Sequence, residues 1–334
     1  MRMNQAIAAA LADEMRGDPS VVVFGEDVAD AGGPFKTSDG LLEEFGPVRV
    51  RDTPISEMAF LGAAVGAAAT GLRPVAEIMF VEFLGVALDM VVTEAAKFRY
   101  LSGGQFGCPL TVRASVGAGL GFGMQHSQTL ETWMYATPGI TLAVASGPQT
   151  AYGLLRSAIR CDDPVVVLEP RALYALRGDL EVGEEGIIPL GSAEIVEEGS
   201  DVTIVTLGQM RDVVTRAVSL GDWSAEIIDL RTLVPWDREA VLASVARTKR
   251  LAIVEESPFS GGWGTEVSSL VAAELFGELE APVMRVTCPD VPVPFGKELE
   301  QRYLPSPDYV TAQVTELLAT GRLPRHWWES EATA

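Results

Sequence analysis

Short apolar runs recur along the chain, and most are followed by a longer stretch with helical spacing. Residues 21–24 follow a Gly-Asp-Pro-Ser turn signal and read as a buried strand. Further strands are expected at 48–51, 74–80, 111–116, 141–145 and 165–168. Helices are expected at the N-terminus and at 57–70, 81–100 and 150–159. Repeated strand-then-helix units predict a parallel sheet covered on both faces. Residues 177–193, rich in glycine and acid, read as a linker between domains at 1–185 and 194–334. The second stretch repeats the pattern, with strands at 202–206, 225–229, 251–254 and 283–286 and helices at 211–220, 238–247 and 264–276. A proline-rich excursion at 289–307 precedes a closing helix.

Two segments break the ordinary pattern. Residues 57–70 are nearly all small, and Ser56 is placed to cap them. Gly62 and Gly66 cost a helix roughly 1 kcal/mol each against alanine. They suggest close approach to another backbone, and a subunit interface is the favoured source. Residues 117–123 carry glycine at every second position and lead from a strand to His126. Imidazole chemistry near neutral pH points to His126, because the other histidine, His326, lies in a Trp-rich tail. A simple helix-capping role is the alternative. Glu57 likewise has two readings. It is either a carboxylate favoured by the helix dipole or a partly buried acid held for a ligand nitrogen.

Composition narrows the functions. At 334 residues the chain calls for two domains, and 48% hydrophobic with 21% charged residues fits a globular protein. A net charge of −21 argues against nucleic acid and anionic membranes and permits docking on a basic protein. The most apolar window, 75–92, is interrupted by Glu77, Glu82 and Asp89 and is no membrane span. Three cysteines without paired spacing suggest a reducing, cytoplasmic setting. A dinucleotide fingerprint at 117–123 fails because Phe122 stands where its last glycine belongs. Neither a nucleophile elbow nor zinc-ligand spacing is present.

The motifs in combination are more telling. GEDV (25–28), DTPISE (52–57), AAKFRYLSGG (95–104), QHSQTLE (125–131), DDPVVVLEP (162–170), LRTLVPWD (230–237) and DVPVPF (290–295) occur in order. Together they resemble the beta subunit of a heterotetrameric, thiamine-diphosphate-dependent 2-oxo acid dehydrogenase of the pyruvate, branched-chain or acetoin type. The resemblance implies a doubly wound, pyrimidine-binding transketolase-like domain followed by a transketolase C-terminal-like α/β domain. It implies that Glu57 hydrogen-bonds the pyrimidine nitrogen and promotes the imino tautomer. Ile55 and Phe83 would pack on that ring, and His126 would face the substrate and the entering lipoyl group. A potassium ion would be held by Leu110, Ala158, Ile159 and Cys161 through main-chain oxygens and by the Asp163 side chain; a plain helix-to-strand turn explains the same residues equally well.

The metal-diphosphate motif of this family starts Gly-Asp-Gly and ends in Asn-Asn. Asn4 is the only asparagine here, and no Gly-Asp pair, those at 178 and 221 included, is followed by glycine. An alpha subunit is therefore expected to hold magnesium and the diphosphate, and a lipoyl-bearing acyltransferase core is the expected acyl acceptor. An acetoin-cleaving complex, a non-catalytic scaffold and a transketolase-like subunit are the alternatives.

Overall fold

The computed structural model describes residues 1–331. Among them, strands run in chain order as β1 (Val21–Gly25), β2 (Val50–Asp52), β3 (Arg73–Ile78), β4 (Thr111–Val116), β5 (Thr141–Val144), β6 (Val165–Pro170), β7 (Glu194–Glu197), β8 (Val202–Thr206), β9 (Ala225–Asp229), β10 (Thr232–Val234), β11 (Leu251–Pro258) and β12 (Met284–Cys288). They form a seven-stranded sheet, β10-β5-β6-β4-β3-β1-β2, and a five-stranded sheet, β12-β11-β8-β9-β7. Each is parallel except for one antiparallel edge strand, β10 on β5 and β7 on β9. No helix among the described residues is long and apolar enough to cross a membrane.

Both edge strands escape a reading of the sequence for a physical reason. They have three and four residues, and β7 alternates between half-buried and exposed positions. Their register is set by the neighbouring strand rather than by their own apolar pattern. The chain divides into two compact units. The first holds residues 1–117, 133–191 and 231–235; the second holds 118–132, 192–230 and 236–331. Two segments thus cross a simple cut in the linker: β10 joins the first sheet, and the stretch bearing His126 groups with the second unit.

In the first unit, helix Met3–Gly17 packs on helix Pro148–Arg160. Small Ala6 and Ala10 sit among Ile7, Leu11, Tyr152 and Leu155 in the shared core. The same face buries Glu14, which accepts from Arg156 Nε (2.6 Å) and Arg160 Nε (2.8 Å). Charge within the sheet is paired in the same way. Arg113 on β4 donates to Glu77 on β3 (2.6 Å) and to both oxygens of Glu169 on β6 (2.8 and 2.9 Å), and Tyr174 Oη donates to Glu169 as well. This pairing keeps acids tolerable in these apolar strands, and removing one partner would strand the other. In the second unit, helix Met210–Leu220 packs on helix Pro307–Thr320. Val214, Ala217, Val314 and Leu317 fill that core.

The continuous helix expected at 81–100 is not observed. Val81–Phe83 forms a 3-10 turn and Leu84–Asp89 an α-helix, then Met90–Glu94 widens to a π-turn before tightening again at Ala95–Lys97. Gly139 packs on this break so closely that a Cβ would lie 2.0 Å from the Ala96 oxygen. Lys97 Nζ also donates to Pro138 O (2.5 Å). Packing from residues 138–139 therefore competes with regular helix geometry at a place where periodicity alone shows none of it.

Candidate functional site

Parallel strands end together at one edge of a sheet, so the residues after β1 and β2 are neighbours. Gly25 pairs with Asp52 and Glu77 on its two sides. A Cβ on Gly25 would sit 2.7 Å from the Glu77 oxygen, so only glycine fits between these strands. The main chain then continues into Glu26, and Thr53 N–H donates back to Gly25 O (2.9 Å). Asp52 accepts from the N–H groups of Ala29 (2.7 Å) and Asp30 (3.2 Å), which fixes the loop after Glu26.

Glu57 opens helix Glu57–Ala69 immediately beyond and is only 8% exposed. Ser56 occupies the cap position, but its side chain makes no cap hydrogen bond; only its carbonyl is used, by Ala59 and Phe60 N–H. Glu26, equally buried, stands close enough to feel the Glu57 charge. Burial first, then Glu57 and Asp27, push the Glu26 carboxyl above its ordinary range. Its Oε1 is buried with no hydrogen-bond donor among the described residues, and so is Thr53 Oγ1. Two close carboxyls and unfilled acceptors at the carboxyl edge of a parallel sheet form a place for a ligand that brings N–H or O–H donors. Glu26 was visible in the sequence only as part of an acidic turn at a strand end; its pairing with Glu57 needs the fold.

Phe83 ends the 3-10 turn after β3, half-buried. It meets Phe80 edge-on, with centroids 5.7 Å apart at 77°, and Phe80 meets Phe35 in the same manner at 5.8 Å. Ile55 is 86% exposed. The structure thus places Glu57, Ile55 and Phe83 in the first unit and His126 in the second. Gly62 approaches the Met90 sulfur, where a Cβ would be 3.2 Å away, and Gly66 meets nothing within 4 Å. Among the described residues no backbone atom outside this helix and the chain neighbours lies within 4 Å of a Cβ built at either glycine.

The glycine-rich loop is held from within its own unit. Ala118 N–H donates to Glu256 (2.6 Å), Gly119 N–H to Glu300 Oε1 (2.8 Å) and Gly121 N–H to Glu300 Oε2 (2.9 Å). Gly119, Gly121 and Gly123 all have positive φ. The backbone donors that a phosphate would need are spent on carboxylates, so the loop is a shaped support and not an anion cradle. His126 is half-buried, and its main-chain N–H donates to Gly123 O (3.2 Å). A cavity of about 590 Å³ in the same unit is lined by Met124, Ser127, Gln128, Glu256, Asp290 and Tyr303, among others. Ser127 Oγ is buried there without a hydrogen-bond partner among the described residues.

The expected potassium ligands lie around the turn between helix Pro148–Arg160 and β6. Each of the five residues already accepts a hydrogen bond through a main-chain or carboxylate oxygen. Ile159 O (3.1 Å) and Cys161 O (2.9 Å) take Arg73 Nη1, and Asp163 takes Arg99 Nε (2.5 Å). Leu110 O takes Val165 N–H (3.0 Å), and Ala158 O takes Cys161 N–H (3.2 Å). Arg73 also pairs with Asp162 and lies 3.7 Å from Asp18. Three carboxylates stand against two guanidinium groups, and each carbonyl oxygen keeps a second lone pair. A cation bound here would have to share the Ile159 and Cys161 oxygens with Arg73.

Comparison with known proteins agrees with this layout. Residues 1–177 match the transketolase pyrimidine binding domain, and residues 191–310 match the transketolase C-terminal domain. The chain is 42% identical over 332 residues to the beta subunit of acetoin:2,6-dichlorophenolindophenol oxidoreductase of Bacillus subtilis (strain 168), covering 95% of this chain and 96% of that one. It is 40% identical over 323 residues to the beta subunit of the pyruvate dehydrogenase E1 component of Porphyra purpurea, covering 96% and 97%. A split-gene transketolase described as an inactive beta4 tetramer shares the fold, with a TM-score of 0.78 at 24% identity over 96% of this chain and 99% of that one. The chain belongs to the family of beta subunits of the 2-oxo acid and acetoin dehydrogenases.

Proposed function

We propose that this chain supplies the pyrimidine half of a thiamine diphosphate site in a 2-oxo acid or acetoin dehydrogenase, and that an alpha subunit supplies magnesium and the diphosphate half. The observation that carries this is the Glu57–Glu26 pair with its unfilled acceptor at the end of β1. The bound coenzyme supplies carbanion-stabilising chemistry. The protein supplies placement and proton traffic. Glu57 accepts a hydrogen bond from a protonated ring nitrogen, while Glu26 Oε1 offers a further acceptor for an amino group or a water. Ile55 and Phe83 give the ring apolar faces. His126 moves a proton at the substrate and at the arriving lipoyl sulfur, a role suited to imidazole.

The reaction under this reading is decarboxylation of a 2-oxo acid, or cleavage of acetoin, with transfer of the acyl group to a lipoyl-bearing acyltransferase in the cytoplasm. Identity to the acetoin and pyruvate relatives is 42% and 40%, so substrate is decided by assay. The test is reconstitution with candidate alpha chains against pyruvate, branched-chain 2-oxo acids and acetoin. A Glu57→Ala complex retaining full turnover would refute the catalytic reading in favour of a scaffold. Potassium at the Arg73 turn belongs to the same proposal. It predicts a saturable rise in melting temperature with potassium over sodium at equal ionic strength, and a flat response would remove the ion.

A further inference from the structure

Arg171 is a large cation buried where the proposed mechanism does not use it. It follows β6 directly and is 2% exposed. Burying a guanidinium is expensive, so its partners indicate what it is there to hold. Its Nη1 donates to Ser115 Oγ (3.0 Å), and its Nη2 donates to Gly117 O (2.7 Å). Ser115 Oγ in turn donates to Met79 O. The guanidinium carbon lies 4.9 Å from the centroid of the Phe80 ring. Phe80 is the ring against which Phe83 stands edge-on.

These contacts join two segments that local sequence leaves independent. One is the turn 79–83, which leaves β3 and ends in Phe83. The other is the exit of β4 at Ser115–Gly117, where the main chain turns toward His126. Arg113, two residues before Ser115, is locked between the carboxylates Glu77 and Glu169 inside the sheet. Arg171 reaches a hydroxyl, a carbonyl oxygen and an aromatic face at the sheet's end. A planar guanidinium can make two directed hydrogen bonds while stacking on a ring, and an ammonium cannot do all three.

We infer that Arg171 is a positioning residue that sets the Phe80–Phe83 aromatic turn and the Gly117 carbonyl in one fixed arrangement, so that the wall against which the pyrimidine packs is preformed. This rests on the pyrimidine-half reading above. It makes Arg171 a determinant of coenzyme affinity without contact to the reacting atoms.

The experiment measures the dissociation constant of thiamine diphosphate, by tryptophan fluorescence with magnesium present, for this chain assembled with its alpha partner. Wild type is compared with Arg171→Met, Arg171→Lys, Ser115→Ala and a stability control in the other unit, Val214→Ala. Arg171→Met is expected to weaken coenzyme binding about tenfold or more, the loss of a charge-assisted hydrogen bond. Arg171→Lys should recover part of this, and Ser115→Ala should weaken binding several-fold. Val214→Ala should lower the melting temperature and leave coenzyme affinity within twofold. Should Arg171→Met fail to fold, Arg171→Lys and Ser115→Ala carry the same comparison. Affinities within twofold of wild type in the Arg171 and Ser115 variants overturn the inference and leave the pyrimidine-half reading standing. Absence of coenzyme binding by the wild-type complex overturns both.

Discussion

At the scale of single residues, what matters is which acids hold their protons. Glu57 and Glu26 share the end of the first sheet, and the account assigns the hydrogen bond to coenzyme to Glu57. Glu57→Gln keeps size and removes the charge. It is expected to lower turnover of the reconstituted enzyme by about 10²-fold or more, as for loss of a positioned acid or base, with little change in melting temperature. Glu131 gives a separate prediction in the second unit. Burial first, with the charges of Glu256 and Glu255 adding, pushes its carboxyl up to about 8 from an ordinary 4.5. Between these values the folded chain keeps a proton that the unfolded chain has released. The stability this group contributes is therefore complete below pH 4.5 and lost as pH rises through about 8. Glu131→Gln should flatten that fall and raise stability at pH 8.5 by on the order of 1–3 kcal/mol. Denaturant unfolding at pH 5.5 and 8.5 checks it; an unchanged slope would show that the carboxyl is already ionised in the fold. Glu57 was singled out from its motif, and its role is the one proposed above. Glu26 and Glu131 were not singled out, because proximity between carboxyls distant in sequence is a property of the fold.

At the scale of elements, the long buried strands were legible: β4, β8 and β9 lie at the expected residues because their apolar runs are bounded by turn signals. The edge strands β7 and β10 and the broken helix between residues 81 and 101 were not, since neighbours and not their own periodicity shape them. The loop 117–123 was recognised as unusual from its alternating glycines. Its glycines serve positive φ, and its N–H groups are pinned by Glu256 and Glu300. Glu300→Ala should therefore speed amide hydrogen exchange at Gly119 and Gly121 and destabilise the chain by about 1–3 kcal/mol, the usual loss for stranded buried donors. Unchanged exchange at those two amides would show that other contacts hold the loop.

At the scale of the whole molecule, two α/β units and a charge of −21 describe a subunit made for company. The acidic surface predicts that binding to a basic domain of the acyltransferase core weakens as salt rises; titration by calorimetry at 50 and 300 mM salt reads this directly, and salt-insensitive binding contradicts it. The expectation that a partner chain completes the site rests only on subtraction, on one asparagine and no Gly-Asp-Gly run, and the substrate was not legible at all. The most direct measurement is turnover with thiamine diphosphate and magnesium for this chain alone, the alpha chain alone, the mixture, and the mixture carrying Glu57→Ala. The account predicts product from the wild-type mixture only. Robust turnover by this chain without a partner, or by the Glu57→Ala mixture at the wild-type rate, contradicts it.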